Sequence, residues 1–440
     1  MRCVKLISAV IFAATALASC TADDNFDPAR SYDGSSVSSN PQRLPIEEVR
    51  HVMIMVAGGY NSLSEYIRAD MKELSEGYLP TGKGRMEDVL VVLSRLPEKR
   101  GDYSTPSPVI LYRLWKGSDG NVVRDTLYKW DTSAVLSDAS TIGEALQMVS
   151  DMFPAAGYGM VFSSHASGWL PAGYYNDPAA YEEAHGGDAG FFGISRRGLR
   201  ETFPPIPDYP AVKSIGQDKV GISSYEMELK DLSEAIPIHL EYLLFDACLN
   251  GCVEVAYAFR GIADIVGFSP TEVLADGFDY PSIAKRLLRP QLNPVAVCKD
   301  YFAYYDAQSG SGRSATITVV DTRKMEPLAE VCADLFDRYR DKINSLDGNR
   351  VQGYFRSNRH YFYDLKDILV RAGMTAEETA LLDQAMSKCI VYKAATPSFL
   401  GIDLSRANGL SMYLPSMGTP LLDKFYKDNM AWNEATQLVK

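Results

Sequence analysis

His239-Leu240-Glu241-Tyr242-Leu243-Leu244-Phe245-Asp246-Ala247-Cys248 reads as a strand of parallel β-sheet that runs out onto a reactive side chain. Its apolar residues occupy both alternating faces, the pattern of a strand covered on both sides. Side chains two apart share a face, so Asp246 and Cys248 point the same way. Upstream, residues 158–164 (YGMVFSS) repeat the pattern and run out onto His165. In open parallel sheets ligands bind beyond the carboxyl ends of the strands. His165 and Cys248 are therefore expected at one rim although 83 positions separate them. Working outward, residues 51–57, 88–94, 109–115 and 262–269 read as further strands, and 141–153 (capped by Thr141), 224–236 and 253–259 as helices. This alternation predicts an α/β/α sandwich with a mostly parallel central sheet over residues 48–290. Residues 291–440 continue it as a C-terminal α/β extension packed on the sandwich. It contains helices at 294–306, 324–343, 363–370 and 375–387 and strands at 315–321 and 409–414. Only residues 170–219, rich in Gly and Pro, lack periodicity; a stretch this long is expected to be a functional loop or a disordered one.

The chain has 440 residues, 46% hydrophobic and 23% charged, which is enough apolar material for a sizeable core. Its net charge of −12, with no long Lys/Arg run, argues against a nucleic-acid partner. Seven cysteines are too few for a disulfide-dense scaffold. Arg2 and Lys5 precede a twelve-residue apolar run, 6–17, too short to span a bilayer and suited to a signal peptide over 1–19. The run closes in Leu17-Ala18-Ser19-Cys20, which resembles the bacterial lipobox, where the Cys thiol is acylated. That resemblance implies an exported lipoprotein held at the outer membrane through Cys20, on its periplasmic or cell-surface face. Residues 20–47, acidic and rich in Ser and Pro, read as a flexible tether. Five cysteines would remain, an odd number, so at least one thiol is expected to be free.

A thiolate beside an imidazole is the minimal pair for acyl transfer. The words around the two residues sharpen this reading. Ser164-His165-Ala166-Ser167-Gly168-Trp169 and residues 245–257 (FDACLNGCVEVAY) together resemble the clostripain family of cysteine peptidases, which have a caspase-like fold. The resemblance continues through Asn61 and Leu63, 263–272 (ADIVGFSPTE) and 409–415 (GLSMYLP). It implies Cys248 as nucleophile, His165 as acid/base partner and protein or peptide substrates cleaved after Arg or Lys. It further implies Asp246 as the acid reading that cation, with the backbone N–H groups of Cys248 and Ala166 as oxyanion donors. The family usually has Gly where this chain has Ala166, and alanine resists positive φ. No metal site or required cofactor is legible; calcium enters by resemblance alone. Oligomeric state is left open.

His185, in the aperiodic stretch, is a rival histidine, and Cys252 reads as structural. Residues 77–83 (GYLPTGK) have phosphate-loop spacing, but Gly84 stands where Ser or Thr would hold the metal. Arg196, Arg197, Arg200 and Lys213 lie between the two rim residues and are candidate self-cleavage positions for an enzyme that cuts after basic residues. The alternative to a peptidase is a catalytically impaired, peptidase-like binding lipoprotein for peptides or glycans. A third reading is a peptidase of different specificity, in which Asp246 is structural.

Overall fold

The computed structural model describes residues 49–81, 87–174, 178–185, 218–220, 223–288, 292–356 and 360–440. Nine strands form one sheet: β1 Val52–Gly58, β2 Val89–Arg95, β3 Ile110–Lys116, β4 Val122–Lys129, β5 Tyr158–Ser163, β6 Leu240–Asp246, β7 Ala263–Phe268, β8 Thr316–Asp321 and β9 Ile390–Ala395. Their order is β9-β8-β7-β6-β5-β1-β2-β3-β4. The central five (β7, β6, β5, β1, β2) are parallel, and antiparallel strands flank them on both sides. Every residue of β1 and β2 is buried, which is why those strands read as unbroken apolar runs.

Helices cover both faces. On one lie α1 Ser64–Glu76, α5 Tyr280–Leu287 and α6 Pro294–Asp306. On the other lie α2 Ala139–Met152, α3 Leu229–Ala235, α4 Val253–Ala258 and α7 Met325–Ile343. α9 Ala376–Cys389 and α11 Ala431–Thr436 pack on α7, while α8 Leu365–Arg371 and α10 Pro420–Asn429 complete the C-terminal part. The pleat divides β6 between the layers. Asp246 bonds Tyr280 of α5, while Phe245 packs against Phe162 and Phe259 in tilted ring contacts on the opposite face.

The architecture is the expected sandwich, with several local differences. Residues beyond 290 supply β8 and β9 to the sheet itself, so the C-terminal part extends the sheet as well as packing on it. α2 is capped by Asp138, whose carboxylate accepts from the Ser140 N–H at 2.9 Å; Thr141 is buried inside the helix. The helix expected over 224–236 is confined to α3, because Ser223–Tyr225 pairs antiparallel with Asp218–Val220. Tyr363–Asp364 is a strand, and α8 starts only after Asp364 caps the Asp367 N–H. The strand expected over 409–414 contracts to Ser411–Met412. The stretch expected to be irregular contains a helix, Pro178–His185, which His185 closes. The structure adds α1, β4, α5, β9, α10 and α11 to the elements expected from the sequence. No helix among the described residues is long and apolar enough to cross a membrane. Cys20, Arg196, Arg197, Arg200, Lys213 and the expected signal and tether lie outside the described residues.

Candidate active site

β5 and β6 pair in parallel with Ser163 opposite Asp246. His165 and Cys248 each lie two residues further on, so they leave neighbouring strands at the same level of the rim. Both are buried, His165 7% and Cys248 0% exposed. After Cys248 the chain turns sharply: Leu249 is left-handed, with φ 61°. Such a conformation costs a side-chain-bearing residue about 1–3 kcal/mol and persists only where neighbours impose it. Here the Leu249 N–H donates to Thr271 O at 2.9 Å, the Gly251 N–H to Ser269 O at 2.8 Å, and Asn250 Nδ2 to Cys248 O at 3.2 Å. The turn after His165 meets this one through Gly168. A Cβ there would lie 2.5 Å from Leu249 O, and φ is +62°. Glycine is therefore what lets the two rim turns touch. Ala166, the residue that departs from the family pattern, is not among the residues with positive φ. Alanine fits that backbone, and the positive φ falls at Gly168.

The Cys248 thiol is held by the opposite segment, where Val273 N–H points at Sγ from 3.1 Å. Just before Val273, the fully buried Glu272 takes Arg356 in a two-pronged pair at 2.7 Å and 2.7 Å. This anchors the thiol-contacting segment to the C-terminal part. His165 Nε2 lies 3.0 Å from Ser62 Oγ, on the turn between β1 and α1. Ser62 is a contact that sequence reasoning missed, since no local pattern joins residues from separate crossovers.

Asp246 shares the Cys248 face, as the pleat requires, and is 1% exposed. Its Oδ2 accepts from Tyr280 OH at 2.5 Å and Ser163 Oγ at 3.2 Å. Burial, and then the charges of Asp246 and Asp70, hold the Tyr280 hydroxyl well above its usual pKa, so it stays a donor. Beyond Tyr280 opens a cavity of about 350 Å³ lined by Asp70, Glu73, Asp276, Asp279 and Tyr301. Burial raises the Glu73 carboxyl, and the charges of Asp276 and Asp279 raise it further. The Tyr301 hydroxyl is likewise raised, by burial first and then by the charges of Asp246 and Cys248. On the opposite face a smaller cavity, about 100 Å³, is lined by His165, Ala166, Phe245, Glu226, Glu228 and Leu232. Burial raises the Glu228 carboxyl, opposed by the Ala172 N–H that it accepts at 2.9 Å.

The remaining thiols have different surroundings. Cys252 is the N-terminal flank of α4. Burial first, then Glu254, pushes its thiol well above the usual range, so it is a poor nucleophile. Cys298, Cys332 and Cys389 are also buried and free, so all five described cysteines are thiols. Among the described residues no group of three or more His, Cys, Asp or Glu is arranged to hold a metal ion.

A sequence profile described as the clostripain family matches residues 206–437. Among solved structures, an inactive zymogen C11 protease from Parabacteroides distasonis is 26% identical. The match covers 89% of this chain and 99% of that one, with a TM-score of 0.68. A secreted C11 cysteine protease from Bacteroides thetaiotaomicron, in complex with an irreversible peptide inhibitor, is similar at 22% identity and a TM-score of 0.67. There the match covers 88% of this chain and 99% of that one. No curated protein matches the chain.

Proposed function

The chain belongs to the clostripain family of cysteine peptidases, and from that membership we propose that it hydrolyses peptide bonds after Arg or Lys through a Cys248–His165 dyad. The observation that carries the reading is the parallel register of β5 with β6, which brings both side chains out of adjacent strands at one level. In the reaction, His165 takes the thiol proton and Cys248 Sγ attacks the scissile carbonyl carbon. The backbone N–H groups of Cys248 and Ala166 are the donors for the resulting oxyanion. The C–N bond then breaks, and His165 returns the proton to the leaving amine. Water, activated by the same imidazole, hydrolyses the thioester and frees Cys248. This chemistry requires no cofactor.

Specificity for a cation is supported by the concentration of carboxylates on the Cys248 face. Asp246 lies behind Tyr280, and Asp70, Glu73, Asp276 and Asp279 line the cavity beyond it. Burial first, then the charges of Asp276 and Asp279, raises Glu73, and a guanidinium or ammonium group entering there would offset that repulsion. Export and acylation at Cys20 complete the reading as a lipoprotein of the outer membrane, with the tether presenting the peptidase to protein substrates. The complete burial of Cys248 favours a state awaiting activation, consistent with cleavage between Arg196 and Lys213. The same burial favours the second reading, a binding protein without turnover. A thiol-reactive probe carrying an Arg recognition group separates them. Labelling of the wild type that disappears in Cys248→Ala supports the peptidase, and no labelling of a proteolytically matured sample refutes it.

A further inference from the structure

A histidine that shuttles protons between a thiol and a leaving amine must present one particular ring nitrogen to the sulfur. The residue that would enforce this here comes from outside both motifs. The turn leaving β1 is braced on several sides. Asn61 Nδ2 donates to Gly58 O at 3.0 Å, and Asn61 Oδ1 accepts the Leu63 N–H at 2.9 Å. Tyr103 OH donates to Asn61 O, Tyr60 OH reaches Thr105 O at 2.7 Å, and Ser164 Oγ ties the His165 turn to Gly58 O at 3.1 Å. Between the braced Asn61 and Leu63 stands Ser62, whose Oγ lies 3.0 Å from His165 Nε2.

Resting on the dyad reading, we infer that Ser62 is the positioning residue of the site: its hydroxyl accepts the Nε2–H of His165, leaving Nδ1 to exchange the proton with Cys248 Sγ. An imidazole has two nitrogens, and neutral imidazole has one donor and one acceptor. Committing Nε2–H to Ser62 selects the tautomer whose Nδ1 lone pair can take a thiol proton. Once Nδ1 is protonated, Ser62 still accepts from Nε2–H, so it supports the imidazolium as well. The other charged groups around the ring are already engaged. On the facing cavity wall Glu226 accepts the Gly173 N–H at 2.6 Å and Glu228 the Ala172 N–H at 2.9 Å. Asp246, on the Cys248 strand, accepts from Tyr280 and Ser163.

The test compares wild type, Ser62→Ala and Ser62→Thr by pH–rate profiles on an Arg-amide substrate and by ring ¹⁵N chemical shifts of His165, assigned by their loss in His165→Gln. Ser62→Ala is expected to lower kcat about ten-fold with KM unchanged, the scale of one lost hydrogen bond. The acidic limb should move to lower pH, because the imidazolium loses an acceptor. The ¹⁵N shifts should change from the Nε2–H tautomer to a mixture. Ser62→Thr, which keeps the hydroxyl, should restore all three. Wild-type tautomer and acidic limb in Ser62→Ala, or equal impairment in Ala and Thr, would overturn the inference. If proteolytically matured wild type turns over no substrate, the dyad reading fails, but the ¹⁵N shifts still decide whether Ser62 sets the ring.

Discussion

Replacing Gly168 with alanine should push the two rim turns apart, and the expected cost can be worked out from the geometry. Two contributions add. Gly168 has φ +62°, and an alanine held there carries about 1–2 kcal/mol of left-handed strain. Its Cβ would also lie 2.5 Å from Leu249 O and 2.8 Å from Phe362 Cε1. The first contact is with backbone already tied to Thr271 O, so it cannot move away freely. Relieving such an overlap in a packed site costs about 1–3 kcal/mol, for about 2–5 kcal/mol in all. Gly261 supplies a control, since its φ is +81° but no atom lies within 4 Å of a Cβ built there. Gly261→Ala should therefore lose the strain contribution alone, about 1–2 kcal/mol. Urea unfolding of the two variants measures both costs, and kcat on an Arg-amide substrate should fall in Gly168→Ala alone. If the two variants lose the same stability, or Gly168→Ala keeps full activity, the close contact between the turns is not what organises the rim.

Asp246→Asn should cost Arg and Lys substrates about 2–5 kcal/mol in kcat/KM, the scale of a broken buried charge pair, while neutral substrates lose much less. Equal losses would assign Asp246 to holding Tyr280 and Ser163 instead of reading the substrate. Burial raises the Glu254 carboxyl above its ordinary 4.5, against the opposing hydrogen bonds from the Tyr413 N–H and Tyr426 OH. A folded pKa above the unfolded one means that this stability is complete below the unfolded value and is lost as pH rises through the folded value. Wild type should thus lose stability relative to Glu254→Gln as pH is raised from about 4.5; a difference that stays flat with pH in urea unfolding would refute this. Intact mass should find wild type cut between Arg196 and Lys213 and Cys248→Ala whole. Identical cutting of both proteins would assign the cleavage to another protease.

What could be read along the chain was whatever covalent geometry makes local. β1, β2 and β6 are apolar on both faces because both faces are covered, and a period of two put Asp246 on the Cys248 side before any contact was known. The same logic located His165 and Cys248 just beyond strand ends. Elements whose signal depends on their surroundings were hidden. β9 follows α9 without a break and is half exposed along its length, and β4 is an edge strand with little burial. Both earn their place by pairing with a neighbour, and pairing leaves little trace in an edge strand's own residues.

The sequence by itself determined the fold class and placed His165 and Cys248 just beyond the ends of two strands, because alternation, strand length and motif wording are properties of contiguous residues. The tertiary structure alone decided which groups surround them. It brought Ser62 to His165 across 103 positions and Glu272 to Arg356 across 84, placed Tyr280 on Asp246 and buried the Cys248 thiol under Val273. These contacts arise where separate crossovers return to one rim. Their partners are chosen by strand order and layer packing, quantities to which every element contributes and which no short stretch of chain contains.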